Sequence, residues 1–96
     1  MTLFGTKPHP TTEMICLRCD APVARSVCLI GAFNQWDPKA HPMERNQDGS
    51  WTTRIPLSEG VHHYQFLVDG EPWLDAGAMC VFSHERRARV SLVAIS

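Results

Sequence analysis

From Glu13 to Ile95 the chain is a succession of short alternating segments, each closed by a turn signal, at the roughly 8–12-residue spacing of all-β domains. "TTEMICLRC" ends at "DAP", "SVCLIGAF" at "NQWDP", "SWTTRIPL" at "SEG" and "VHHYQFLV" at Asp69-Gly70. Asp48-Gly49 lies inside "MERNQDGSW" and is a strong hairpin signal, because a tight two-residue turn needs backbone angles that Asp and Gly tolerate. "EPWLDAGA" is short and irregular, and "MCVFSH" and "RARVSLVAI" read as closing strands. Successive side chains on a strand point to opposite faces. Val27, Leu29, Gly31 and Phe33 therefore share one face, with Cys28 and Ile30 on the other. Trp51, Thr53, Ile55 and Leu57 share a face, which makes Trp51 a core residue. Tyr64, Phe66 and Val68 oppose His63, Gln65 and Leu67. No stretch has a helical period with caps. The pattern predicts an all-β sandwich or barrel, with Pro56 at a strand end or edge because it cannot donate to a ladder.

A chain of 96 residues has room for one domain. Residues 1–11 carry two prolines and little apolar content and read as a flexible N-terminal leader; residues 12–96 read as the single domain. The apolar fraction of 44% against 20% charged excludes a disordered chain. Nine basic and ten acidic side chains leave a net charge of −1, which argues against bulk binding to nucleic acid or to an anionic membrane. No apolar run approaches the ~20 residues of a membrane span. "MTLFGTKPHP" lacks the apolar centre of a signal peptide, so a cytoplasmic location is expected.

Cys16 and Cys19 form a C-x-x-C, a spacing used in redox and metal sites. On a strand, however, residues three apart face opposite ways, and no second C-x-x-C or spaced histidine pair completes a tetrahedral set. Cys16, Cys19, Cys28 and Cys80 are expected to be structural thiols, with no metal and no cofactor. His62 and His63 are adjacent and point to opposite faces, which disfavours a shared metal.

Trp36 is the feature that this pattern does not absorb. "GAFNQWDPKA" sets a large apolar ring among turn-forming residues, Asn34, Asp37 and Pro38. Three motifs accompany it: G-x-F-N-x-W at Gly31–Trp36, D-G-x-W at Asp48–Trp51, and Y-x-F-x-V-D-G at Tyr64–Gly70, followed by Trp73 and Asp75. In that order and spacing they resemble the glycogen-binding domain of the AMP-activated protein kinase beta subunit. They are also similar to carbohydrate-binding module family 48, the early-set domains that precede the catalytic barrel of branching enzymes and isoamylases. The resemblance runs from about Glu13 to Val93 and implies an immunoglobulin-like (early-set) β-sandwich of about seven to eight short antiparallel strands that binds α-1,4-linked glucan.

By that resemblance Trp36 is one stacking platform for a sugar ring and Trp73 is the candidate for the second. A pyranose offers a face of C–H groups to an aromatic ring and hydroxyls to polar neighbours. Gln65 stands where the family has a lysine that reaches hydroxyls, and Asn34, Lys39 and Arg89 are further candidate contacts. Two departures bear on the site. Pro72 makes Trp73 one residue late, and one step on a regular strand reverses the face unless Pro72 breaks it. Arg87, Ala88 and Arg89 stand where the family has asparagines. The bland readings are a Trp36 that plugs the sandwich edge, an Asn34 and Asp37 that only form the turn, and a "HERRAR" stretch that is a charged edge. Asp69 and Asp75 occupy turn positions of the family, which speaks against a catalytic carboxylate pair. The implied function is a non-catalytic α-glucan-binding module that brings a partner protein to glycogen. The alternative is a protein-interaction module with the same fold and a degenerate glycan site, docking through a strand edge or through Arg86–Arg89.

Overall fold

The computed structural model describes residues 12–96; the expected leader lies outside the described residues. Eight strands follow one another: β1 (Thr12–Asp20), β2 (Val27–Gly31), β3 (Glu44–Arg45), β4 (Ser50–Ser58), β5 (Gly60–Val68), β6 (Glu71–Trp73), β7 (Met79–Ser83) and β8 (Ala88–Ile95). A 3-10 turn, Ala32–Asn34, follows β2. One sheet has the order β1-β4-β3 and the other β2-β5-β8-β7, with β6 attached to β5, and every pairing is antiparallel. No helix among the described residues is long and apolar enough to cross a membrane.

The alternation read from the sequence becomes the core. Leu17, Trp51, Ile55 and Leu57 from the smaller sheet meet Val27, Leu29, Tyr64, Phe66, Val68 and Ile95 from the larger one. Trp51 is buried, and its Nε1 donates to the Ala21 carbonyl at 2.9 Å, so the indole's one polar group is satisfied. Cys16 is exposed and Cys19 is buried, the opposite-facing arrangement that a strand imposes, and all four cysteines are free thiols. Burial pushes the pKa of the Cys19 thiol above its ordinary value, and the charges of Asp20 and Asp75 add to this. Pro56 lies opposite Met14 of β1; β3 pairs only with Trp51 and Thr52, so at Pro56 β4 has a ladder on one side. The β5–β6 hairpin turns on Asp69 (φ 49°) and Gly70 (φ 87°), the pair of left-handed residues that a two-residue turn requires.

On β5, Tyr64 is fully buried, and its hydroxyl donates to Asp75 Oδ2 at 2.7 Å. Burial first, and then Asp75, raise the Tyr64 pKa far above the ordinary tyrosine range. The folded state thus holds this proton more tightly than the unfolded chain, so its stabilising contribution is complete below about pH 10 and is lost as pH rises beyond that. Tyr64→Phe is expected to cost about 1 kcal/mol at neutral pH and to flatten the loss of stability in alkali, as measured by urea unfolding at several pH values.

Candidate glycan-binding site

The segment after β2 is built around Asn34. Its Oδ1 accepts from the Gly31 N–H at 3.0 Å, and its Nδ2 donates to the Leu29 carbonyl at 3.1 Å and meets His41 Nδ1 at 2.9 Å. The return of the loop lies along β2, where Leu29 N–H donates to the His41 carbonyl and Met43 N–H to the Val27 carbonyl. Asn34 is only 7% exposed. The expected sugar contact from Asn34 is therefore corrected to its other reading: the side chain is the internal clamp of the turn, with its polar atoms aimed at the backbone.

With the turn clamped, the next two residues are forced into the left-handed region, Gln35 at φ 57° and Trp36 at φ 58°. Trp36 N–H donates to the Gly31 carbonyl at 2.8 Å, which fixes this geometry. A bulky residue there is a true outlier, and such backbone costs about 1–3 kcal/mol wherever it persists. The result is a Trp36 ring held half-buried at the surface. The Arg86 guanidinium, from the turn between β7 and β8, lies 4.4 Å from the ring centroid. Arg86 itself is steadied by its N–H, which donates to Ser83 Oγ at 3.1 Å. Lys39 is exposed in the same loop, and its N–H donates to Asp37 Oδ1 at 2.9 Å.

Gln65 lies on the face expected for it, opposite Tyr64 and Phe66, and in register with Ile30. It is nevertheless only 5% exposed, and its Nε2 donates to the Arg89 carbonyl at 3.1 Å. The cause is a handover between strands. Pairing of β5 with β8 runs from Gly60↔Ile95 to Tyr64↔Ser91, and β6 takes the same edge of β5 from Phe66 onward. The Gln65 amide bonds to β8 just past the point where that ladder ends. The expectation that Gln65 is open to a ligand is corrected accordingly.

Trp73 is 41% exposed, and its direction is set by counting. β6 is a regular strand with Glu71 opposite Val68, Pro72 opposite Leu67 and Trp73 opposite Phe66. Pro72 does not rescue the face: Trp73 points to the side of Phe66, away from that of Gln65. Trp73 lines a groove of about 330 Å³ together with Arg18, Cys19, Asp20, Phe66 and Asp75, and neither Trp36 nor Arg86 belongs to its walls. Arg89, opposite Phe82 on β7, also shares the Tyr64 face, and its Nη1 lies 3.5 Å from Cys80 Sγ. The structure thus brings Trp36 to Arg86 and sets Trp73 in a groove that neither of them lines.

Residues 21–87 match the family described as the glycogen recognition site of AMP-activated protein kinase, a span that includes the Trp36 turn, the Trp73 hairpin and Arg86. The chain belongs to this glycogen-recognition family. It is also 51% identical over 51 residues to a 1,4-alpha-glucan branching enzyme of Vibrio parahaemolyticus, covering 52% of this chain. It is 38% identical over 82 residues, 83% of the chain, to the branching enzyme of Prochlorococcus marinus, and 34% identical over 77 residues, 77% of the chain, to one from Xanthomonas campestris. The module spans only 7% of the first relative's length and 11% of each of the others.

Within this glycogen-recognition module the two carboxylates near Trp73 have structural partners. Asp69 Oδ1 accepts from the Arg25 and Ser26 N–H groups at 2.8 and 2.9 Å, tying the β5–β6 turn to the entry of β2. Asp75 accepts from the Tyr64 hydroxyl and from the Gly77 N–H, and its own N–H donates to Ser91 Oγ at 2.8 Å. The residue that sequence reasoning missed is Arg86. It was visible only as part of a charged stretch, and no spacing rule links it to a ring so distant in the chain.

Proposed function

We propose that this module binds α-1,4-glucan through Trp36 and carries the protein to which it is attached or bound onto glycogen or a starch-like polymer. A small carbohydrate-binding domain of this kind is non-catalytic. The observation that carries the reading is the strained backbone at Trp36. A structural plug gains nothing from a left-handed tryptophan, whereas a platform needs the ring fixed before the ligand arrives. Lys39, exposed in the same loop, is the candidate for contact with hydroxyls at the rim.

Arg86 covers one face of the Trp36 ring. An exposed cation–π contact is worth about 0.5–1 kcal/mol, so a sugar ring displaces it at small cost. Arg86→Ala is accordingly expected to tighten glucan binding by about two- to fivefold. A loss of affinity instead would mean that the guanidinium bonds the sugar directly. The test of the reading itself is titration of the chain with maltoheptaose or β-cyclodextrin, followed by tryptophan fluorescence and backbone amide shifts. Shifts at Gln35–Lys39 and Arg86 are expected. Silence throughout at roughly millimolar sugar would favour the protein-docking alternative, for which the exposed Met79 and Phe82 on the edge strand β7 are the supporting observation.

A further inference from the structure

The amide of Asn34 can stand in only one orientation. Its Oδ1 faces the Gly31 N–H, a donor, at 3.0 Å, and its Nδ2 faces the Leu29 carbonyl, an acceptor, at 3.1 Å. Turned over, the amide would set donor against donor at Gly31 and acceptor against acceptor at Leu29. The atom that lies 2.9 Å from His41 Nδ1 is therefore the nitrogen, which only donates. His41 Nδ1 must accept with its lone pair, so the ring is neutral and carries its proton on Nε2. In an imidazolium both nitrogens are donors, and Nδ1–H would meet the Asn34 N–H head on.

The surroundings do not compensate a charge on this half-buried ring. Among the described residues no carboxylate forms an ion pair with His41. Asp37 and Lys39, of opposite sign, are exposed in its own loop, and Glu44 and Arg45 of β3 follow it in the chain. The 3-10 turn brings Phe33, whose ring stands edge to face with His41 at 6.3 Å. From β2 comes Cys28, bridged to Pro42, and burial raises its thiol pKa, so it stays uncharged in mild acid. β5 brings His63 and His62; the His62 ring meets Phe33 at 6.4 Å and contacts the Ser58 carbonyl through Nε2 at 2.7 Å. Arg86, from the β7–β8 turn, lies over Trp36. The turn itself is under load, because the left-handed backbone of Gln35 and Trp36 works against every bond that closes it. We propose that His41 is a positioning residue for the Trp36 platform: neutral, it completes the Asn34 clamp and holds the ring in place; protonated, it lets the turn open, so that glucan binding weakens in mild acid. The hold on the turn is independent of any ligand, while the effect on sugar rests on the reading of Trp36 as the glucan platform.

The experiment is a titration of the full chain from about pH 7.5 to about pH 5.5, the range in which histidines charge, followed by backbone amide and imidazole nitrogen shifts. Maltoheptaose affinity is measured at both ends. At the upper end Nδ1 of His41 is expected to be the bare nitrogen and Nε2 the protonated one. As pH falls, the amides of Asn34, Gln35 and Trp36 are expected to move together with the His41 ring, and affinity to drop by about two- to fivefold. His41→Gln supplies an acceptor that does not titrate. It is expected to bind as the parent does at the upper pH and to lose the pH dependence, whereas His62→Gln keeps it. A proton on Nδ1 of the unsubstituted chain at the upper end would overturn the proposal, whatever the variants do. An affinity that does not change with pH, or a pH dependence that persists in His41→Gln, would overturn it as well. Silence towards the sugar at both ends, with the turn still following His41, would overturn the glucan reading and leave the hold of His41 on the turn standing.

Discussion

Replacing Asn34 with alanine is expected to lower the unfolding free energy by about 3 kcal/mol, with a melting temperature roughly 10–20 °C lower. The substitution removes little apolar surface. It takes away the acceptor for the Gly31 N–H and the donor to the Leu29 carbonyl, and both residues are buried. A buried backbone group left without a partner costs about 1–3 kcal/mol, and here there are two. Thermal unfolding followed by circular dichroism measures the effect. A drop of only a few degrees would show that the clamp is not what holds the turn. Glucan binding is expected to weaken along with stability, since the bond from Trp36 N–H to the Gly31 carbonyl depends on the same turn.

The second expectation separates binding from folding. Trp36→Gly is expected to reduce glucan affinity by at least about tenfold, the equivalent of 1.4 kcal/mol, while leaving stability close to that of the parent. Glycine populates the left-handed region freely, so the variant relieves strain of about 1–3 kcal/mol. That relief offsets the lost contacts of a half-buried ring. A tryptophan that plugs the sandwich edge would behave in the opposite way, with a clear loss of stability and unaltered sugar binding. Measuring melting temperature and maltoheptaose titration on one preparation distinguishes the two.

Much of the fold was legible because a period of two is a local signal. The faces assigned to Val27–Gly31, Trp51–Leu57 and Tyr64–Val68 follow from alternation alone, and the pairings of β2, β4 and β5 preserve them. The Trp73 face was left open, because whether Pro72 breaks the strand decides it. A two-residue turn at Asp69-Gly70 fixes the register of the hairpin, and proline at an edge does not interrupt it. Gln65 and Asn34 were harder, because burial is not a property of the strand or turn that carries a residue. Gln65 is covered because β8 and β6 share one edge of β5, and its amide reaches Arg89 across that junction. Asn34 reads as a polar loop residue until the return of the chain through His41 and Met43 encloses it. The Trp36–Arg86 contact joins two turns that only the assembled sandwich brings together.

The single residue that delays Trp73 has a consequence for valency. Two aromatic platforms on one surface would grip neighbouring units of one chain, and their contributions would compound. Here the register turns the second indole to the Phe66 side of its sheet, into a groove that Trp36 does not line. On this reading the module offers a linear chain one aromatic platform rather than two. Its affinity for an isolated oligosaccharide is then expected to stay modest, and firm attachment to a branched particle would have to come from several modules engaging crowded chain ends at once.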